Sequence, residues 1–334
     1  MKLTNKNYGW PFVLTAKHTC ARCCLLLMLF CLQVCAANKA VAQIPADVHR
    51  VLFLGNSITY AGGYVTDVEA WFVTHYPNRQ IEFINAGLPS ETVSGLSEEG
   101  HAGGAFPRPD LHERLARVLA QTKPDLVFAC YGMNDGIYLP FDEGRFARFK
   151  EGVNWLHDTV VKTGAKIIHL TPPIFDELKG GHPGYAAVLN KYSGWLLEQR
   201  KQQGWQVCDL HYPMKKYLEA HRKVDKAFGM DGFALAQDGV HPGETGHWLM
   251  AKQILLYLGE KSVKNVPTIN AGVTVVAKGG DMLRLVAERQ AMMKDAWLTA
   301  TGHKRPGMNK GIPLVEAQAK AAAIGLQIKA LQGY

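Results

Sequence analysis

The sequence predicts an α/β protein with a mostly parallel sheet and helices on both faces, and three observations predict it. Short apolar runs alternate with longer amphipathic ones from Val51 to Leu258. The short runs close on Gly, Pro or a polar turn, as buried strands do. The 334 residues are 47% hydrophobic, enough to pack a core on both sides of a sheet. Strands spaced by helices imply βαβ units with right-handed crossovers.

The elements follow in order. Val51–Leu54 reads as the first strand, stopped by Gly55, and Tyr64–Tyr76 as a helix. Ile81–Ile84 is the second strand, and Leu111–Gln121 a helix ending before Pro124. Leu126–Tyr131 is the third strand, with a helix over Phe146–Thr163 that Gly164 ends. Lys166–Thr171 is the fourth strand, stopped by Pro172 and Pro173, then a helix over Tyr185–Gln203. Gln206–Leu210 is the fifth strand, and Thr245–Leu258 the last helix of the alternation.

Beyond Gly259 the character changes, which divides the chain into a domain over residues 48–259 and a helical C-terminal extension over 260–334. Its first stretch is polar, with a β-like run at Val273–Val276. Met282–Ala300 places Leu283, Val286, Met293 and Trp297 on one helical face. A basic loop, Gly302–Gly311, leads to an Ala-rich helix over Leu314–Leu331. The expectation is an appendage that docks on the core or on a partner.

Residues 1–42 read as a signal peptide. Five Lys/Arg and no Asp or Glu lie in them, and an apolar run from Leu25 follows the cationic stretch ending at Arg22. That run is shorter than the ~20 residues a membrane anchor needs. Ala40-Val41-Ala42 fits a cleavage site before Gln43, with an earlier cut after Ala37 as the alternative. Bulky Val34 argues against a lipoprotein reading at Cys35. The expectation is export to the periplasm or beyond, with no stable membrane span after cleavage. Without its leader the +8 chain keeps only about +3, dispersed along the sequence, which gives no argument for a nucleic-acid partner.

In open α/β sheets ligands bind beyond the carboxyl ends of the strands. Gly55-Asn56-Ser57 follows the first strand and presents a serine on a tight turn. Asn85-Ala86-Gly87 follows the second, where glycine lets a backbone N–H approach a substrate oxygen. Gly132-Met133-Asn134-Asp135 follows the third, and its Asn amide can donate to a developing oxyanion. Asp238-Gly239-Val240-His241 precedes the last helix, spaced so that the carboxylate reaches one imidazole nitrogen. Singly, each is an ordinary cap or turn. Together they supply the nucleophile, oxyanion donors, orienter and base that acyl transfer requires.

With these four blocks, from about Arg50 to Leu258, the chain strongly resembles the SGNH/GDSL hydrolases. The resemblance implies a catalytic Ser57, Asp238 and His241, and an oxyanion hole of Ser57, Gly87 and Asn134. It also implies a flavodoxin-like three-layer α/β/α sandwich with five strands in the order 2-1-3-4-5. Asn56 stands where the family commonly has Asp, at a position that looks structural. After Leu88-Pro89-Ser90-Glu91-Thr92 comes a long Gly/Pro-rich loop, Ser97–Asp110, whose His101 and Arg108 read as surface residues or as substrate contacts. That strand order also sets Cys130 and Cys208 ~10 Å apart, beyond the ~7 Å a disulfide spans, so both are expected as free, buried thiols.

No Gly-x-Ser-x-Gly elbow, zinc motif or phosphate-cradling loop is present, so neither metal nor cofactor is expected. The expected partner is a small-molecule or glycan ester, with acetyl on a carbohydrate favoured by the polar, Gly-rich site loops. Lipase, lysophospholipase or thioesterase chemistry and a catalytically silent binding protein are the alternatives. Nothing in the sequence sets the oligomeric state.

Overall fold

The computed structural model describes residues 44–230 and 232–333, together with Met1 and Gly9. Those two apart, the expected leader lies outside the described residues, which from Ile44 onward belong to one compact unit.

Five parallel strands form one sheet in the order β2-β1-β3-β4-β5. They are β1 (Arg50–Gly55), β2 (Glu82–Asn85), β3 (Leu126–Cys130), β4 (Lys166–Leu170) and β5 (Gln206–Cys208). The helices are α1 (Ser57–Ala61), α2 (Gly63–His75), α3 (Leu115–Thr122), α4 (Glu143–Val161), α5 (Glu177–Gly180), α6 (Tyr185–Gln202), α7 (His211–Ala227), α8 (Glu244–Tyr257), α9 (Ile269–Val273), α10 (Gly279–Thr301) and α11 (Leu314–Leu331). Helices lie on both faces of the sheet, giving the expected three-layer sandwich.

The central strands are buried on both faces, which is why they read as unbroken apolar runs. On one face Phe53 stacks on Phe128, with ring centroids 5.0 Å apart, and meets Tyr64 of α2 edge-on. Each such side chain contributes about 1.5–3 kcal/mol by leaving water. Across α4 and α6, Phe149 stacks on Tyr192 at 4.3 Å. Cys130 and Cys208 pair in register with Leu170 from either side, two strand spacings apart. Both are free and buried, and burial pushes the Cys130 thiol up to about 12.

Three sequence expectations need correction. The run Val273–Val276 is no strand: it begins as the last residue of α9 and continues as a turn before α10. The helix expected over Leu111–Gln121 is broken into a 3₁₀ turn at Leu111–Glu113 and α3. Arg114 lies at the break, with φ −123° and its side chain buried in an ion pair with Glu91. Helix α7 was not anticipated, because only His211, Met214 and Leu218 of its seventeen residues are buried, too thin an apolar stripe to announce a helix.

The C-terminal region is helical and lies on the core. Helix α10 runs along the edge strand β2, where Gln290 Nε2 donates to the Phe83 carbonyl at 2.8 Å. Buried Glu69 accepts from both Arg289 and Gln290 at 2.6 Å, and Trp297 is buried in the same contact. An edge strand is thereby closed to other chains. Among the described residues no helix is long and apolar enough to cross a membrane.

Candidate active site

Ser57, Gly87 and Asn134 stand at the carboxyl ends of β1, β2 and β3, where the sheet topology places ligands. Ser57 opens α1, and Asn56 caps that helix by accepting from Ile58 N–H at 3.1 Å. The Asn at this position is therefore structural, as expected. The Ser57 N–H lies in the first turn, among the donors that a helix leaves without an intrahelical acceptor.

His241 Nε2 lies 2.8 Å from Ser57 Oγ, and His241 Nδ1 lies 2.6 Å from Asp238 Oδ2. Asp238 Oδ1 also accepts from the backbone N–H groups of Val240 and His241 at 2.9 and 2.8 Å. Burial opposes ionisation of Asp238, but these bonds, the His241 ring first, outweigh it and hold the carboxyl below its usual value. The loop carrying the pair is pinned from behind, where Asp176 N–H donates to the Gly239 carbonyl at 2.9 Å. The remote pair is thus brought to Ser57 across 184 residues of chain.

Gly87 sits so close to α1 that a Cβ there would stand 2.3 Å from Tyr60 N, so no other residue fits. Its N–H donates to Asn85 Oδ1 at 2.9 Å, and Asn85 Nδ2 in turn donates to the Thr59 carbonyl at 2.6 Å. Asn134 Nδ2 donates to the Glu91 carbonyl at 3.1 Å, which leaves its second amide hydrogen free for a ligand. Its Oδ1 accepts from Tyr138 O–H at 3.1 Å, fixing which edge of the amide faces the site. Ile137 and Tyr138 both have positive φ (48° and 56°), a strained turn of the kind that gathers at functional sites.

Beneath these donors lies a buried ion pair. Arg114 Nε and Nη2 meet Glu91 Oε1 and Oε2 at 2.6 and 2.7 Å, with both side chains fully buried. Arg114 Nη2 also donates to the Ala86 carbonyl, one residue before Gly87, and Tyr131 O–H donates to Glu91 Oε2. Burial works against the Arg114 charge, but Glu91 outweighs it and holds the guanidinium above its usual range. Asp135 does similar work one layer away, accepting from Val93 N–H, Ser94 N–H, Ser94 O–H and Gly132 N–H at 2.8–2.9 Å.

The profile of the GDSL-like lipase/acylhydrolase family matches residues 53–249, more than half of the chain. The chain belongs to this family. With it come the carboxylic ester hydrolases, and this GDSL-family chain is an esterase. An acetylxylan esterase of Geobacillus stearothermophilus is 24% identical over 236 residues, 65% of this chain and 96% of that protein. A solved structure of a Geobacillus stearothermophilus acetylxylan esterase shares the fold at 22% identity and a TM-score of 0.51, covering 68% of this chain and all of that one. A gut microbial diltiazem-metabolizing enzyme does so at 20% identity and a TM-score of 0.52, over 66% of this chain and 48% of that one. Residues 250–334 lie outside the GDSL match.

Sequence reasoning missed Arg114 and Tyr138, and it gave Asn85 and Glu91 no role of their own. Arg108, read as a surface residue or substrate contact, is instead buried. It bonds Glu98 through two nitrogens at 2.6 Å and lies 5.3 Å over the Tyr138 ring, so it reaches Asn134 through Tyr138. His247 packs against Tyr64 and accepts from its N–H at 3.2 Å, and burial lowers its pKa to about 4.

Proposed function

We propose that the protein is an exported serine esterase in which Ser57, His241 and Asp238 form the catalytic triad. The observation that carries this reading is the unbroken chain of short contacts from Asp238 through His241 to Ser57 Oγ. Ser57 Oγ attacks the ester carbonyl while His241 Nε2 takes its proton, and the Asp238 carboxylate holds the other ring nitrogen as donor. The tetrahedral oxyanion is met by Ser57 N–H, the free Asn134 amide hydrogen and Gly87 N–H. For Gly87 that role has a cost, since the oxyanion has to share or displace its bond to Asn85 Oδ1. His241 then protonates the leaving alcohol and activates water to release the acyl group.

The substrate we propose is a short acyl ester, acetyl on a carbohydrate hydroxyl. Two observations support it: the name of the Geobacillus relative, and the open setting of His241 and Asp238, whose side chains are about half exposed. The leader-like sequence of residues 1–42 supports export.

A fluorophosphonate probe tests the nucleophile. Labelling of the mature chain, abolished in Ser57→Ala, is expected; no labelling together with no hydrolysis of p-nitrophenyl acetate would sink the esterase mechanism. A chain-length series of p-nitrophenyl esters tests the acyl group, and a peak at C8 or longer would exclude an acetyl esterase.

A further inference from the structure

The C-terminal region borders the site. Tyr60 lies three residues beyond Ser57, one turn along the same face of α1. Its hydroxyl donates to Asp295 Oδ1 of α10 at 2.8 Å, and Lys294 Nζ sits 3.9 Å over its ring. The loop after α10 carries Arg305, which lies 5.0 Å over the Phe106 ring. Phe106 belongs to the 97–110 loop and meets His101 edge-on at 5.4 Å. That same loop holds Arg108, stacked on Tyr138 beside Asn134. Two loops distant in sequence thus form one rim, from the nucleophile helix to the oxyanion side.

The charges of this rim do not balance. Lys294 has Asp295 at 3.2 Å, Arg108 has Glu98, and Lys304 has Glu113 at 3.7 Å. Arg305 forms no ion pair among the described residues; its Nη1 donates only to the Pro306 carbonyl and the Met308 sulfur. Partial burial lowers its pKa, the mark of a cation drawn from water without a full counterweight.

Buried polar atoms are seldom left unmade. Seven side-chain atoms stand so among the described residues, and three belong to the residues of this rim: His101 Nε2, His303 Nδ1 and Arg305 Nε. His303 lies two residues before Arg305 in the same loop. The arginine atom can only donate, and either imidazole nitrogen can donate in the right tautomer. What such atoms bind is therefore an acceptor. Ordered water would satisfy donors but leave the Arg305 charge uncompensated; a carboxylate does both, and guanidinium matches it through two parallel bonds. Tyr60 and Phe106 are only partly buried and add aromatic surface to this rim.

We propose that this rim is a subsite for a carboxylate-bearing sugar, so that the ester substrate is an acetylated glycan carrying uronate units, with Arg305 reading the carboxylate. The proposal rests on the esterase reading of Ser57.

The test compares the mature chain on two acetylated xylo-oligosaccharides that differ only in a glucuronate branch, with p-nitrophenyl acetate as a third substrate. The expected result is a kcat/KM about tenfold higher for the branched substrate at low ionic strength, the gain residing in KM and shrinking as salt is added. Arg305→Gln should bring the KM of the branched substrate to that of the neutral one, and Arg305→Lys should recover part of the difference. In the unmodified protein, free glucuronate should compete where glucose does not, a readout independent of how the variants fold. Equal KM values for the two oligosaccharides, or a preference that survives Arg305→Gln, would overturn the subsite. Absence of p-nitrophenyl acetate hydrolysis would instead overturn the esterase mechanism beneath it.

Discussion

Asn134 and the Glu91–Arg114 pair beneath it are buried to within 3% of completeness, whereas the side chains of Asp238 and His241 are 56% and 48% exposed. The proposed oxyanion side is fixed by the core: Ala86, Glu91, Arg114, Tyr131 and Asn134 are joined by hydrogen bonds in a buried environment, where each is strong and costly to break. The proposed base, His241, lies on a surface loop organised by the Asp238 carboxylate and held from behind through Gly239. Charge stabilisation needs donors that do not reorganise, and burial supplies that rigidity. The proton transfers proposed for His241 need access to solvent, and an exposed loop is suited to that role.

This contrast is open to measurement. The largest loss is expected on the rigid side: Asn134→Ala should lower kcat ~10²–10³-fold with little change in KM, the usual scale for one oxyanion donor. A kcat left unchanged would remove Asn134 from the mechanism. On the exposed side, Asp238→Asn should cost less, about tenfold to a hundredfold in kcat, because solvent screens a half-exposed pair where a buried triad carboxylate is worth about 10⁴. A greater loss for Asp238→Asn than for Asn134→Ala would break the comparison.

The smallest effect concerns stability beneath the base loop. Burial first, and then the nearby charge of Glu244 at the start of α8, raise the Asp67 pKa from 3.8 to about 7. Between those values the folded state holds a proton that the unfolded state has lost, so this group makes stability fall as pH rises from about 4 to about 7. Asp67→Asn removes the dependence. The Tm of the variant should exceed that of the parent by a margin several degrees wider at pH 8 than at pH 5. A margin that does not change with pH would place the proton elsewhere.

The parallel alternation was legible because strands buried on both faces leave continuous apolar runs, and Ser57, Gly87 and Asn134 were legible because each follows such a run directly. The residues that hold them were not. Arg114 sits between two helical turns in a stretch that reads as an ordinary amphipathic helix, and its partner lies 23 residues away. Tyr138 acts through a left-handed backbone that no residue type at 137 or 138 announces. Val273–Val276 has the β-branched composition of a strand, yet the helical contacts around it decide its form. Local pattern reports burial well, and it is silent on polar pairs closed over distance.

The Gln290 bond to the Phe83 carbonyl has a practical bearing on anyone shortening this chain. The family match ends at residue 249, and a fragment trimmed there looks like a whole catalytic unit. Such a fragment would carry a bare β2 flank and an uncovered Glu69 carboxyl, offering neighbouring copies a ready strand to pair with. It would come out of an expression host as aggregate before its chemistry could be assayed, and an inactive pellet would be mistaken for an inactive enzyme.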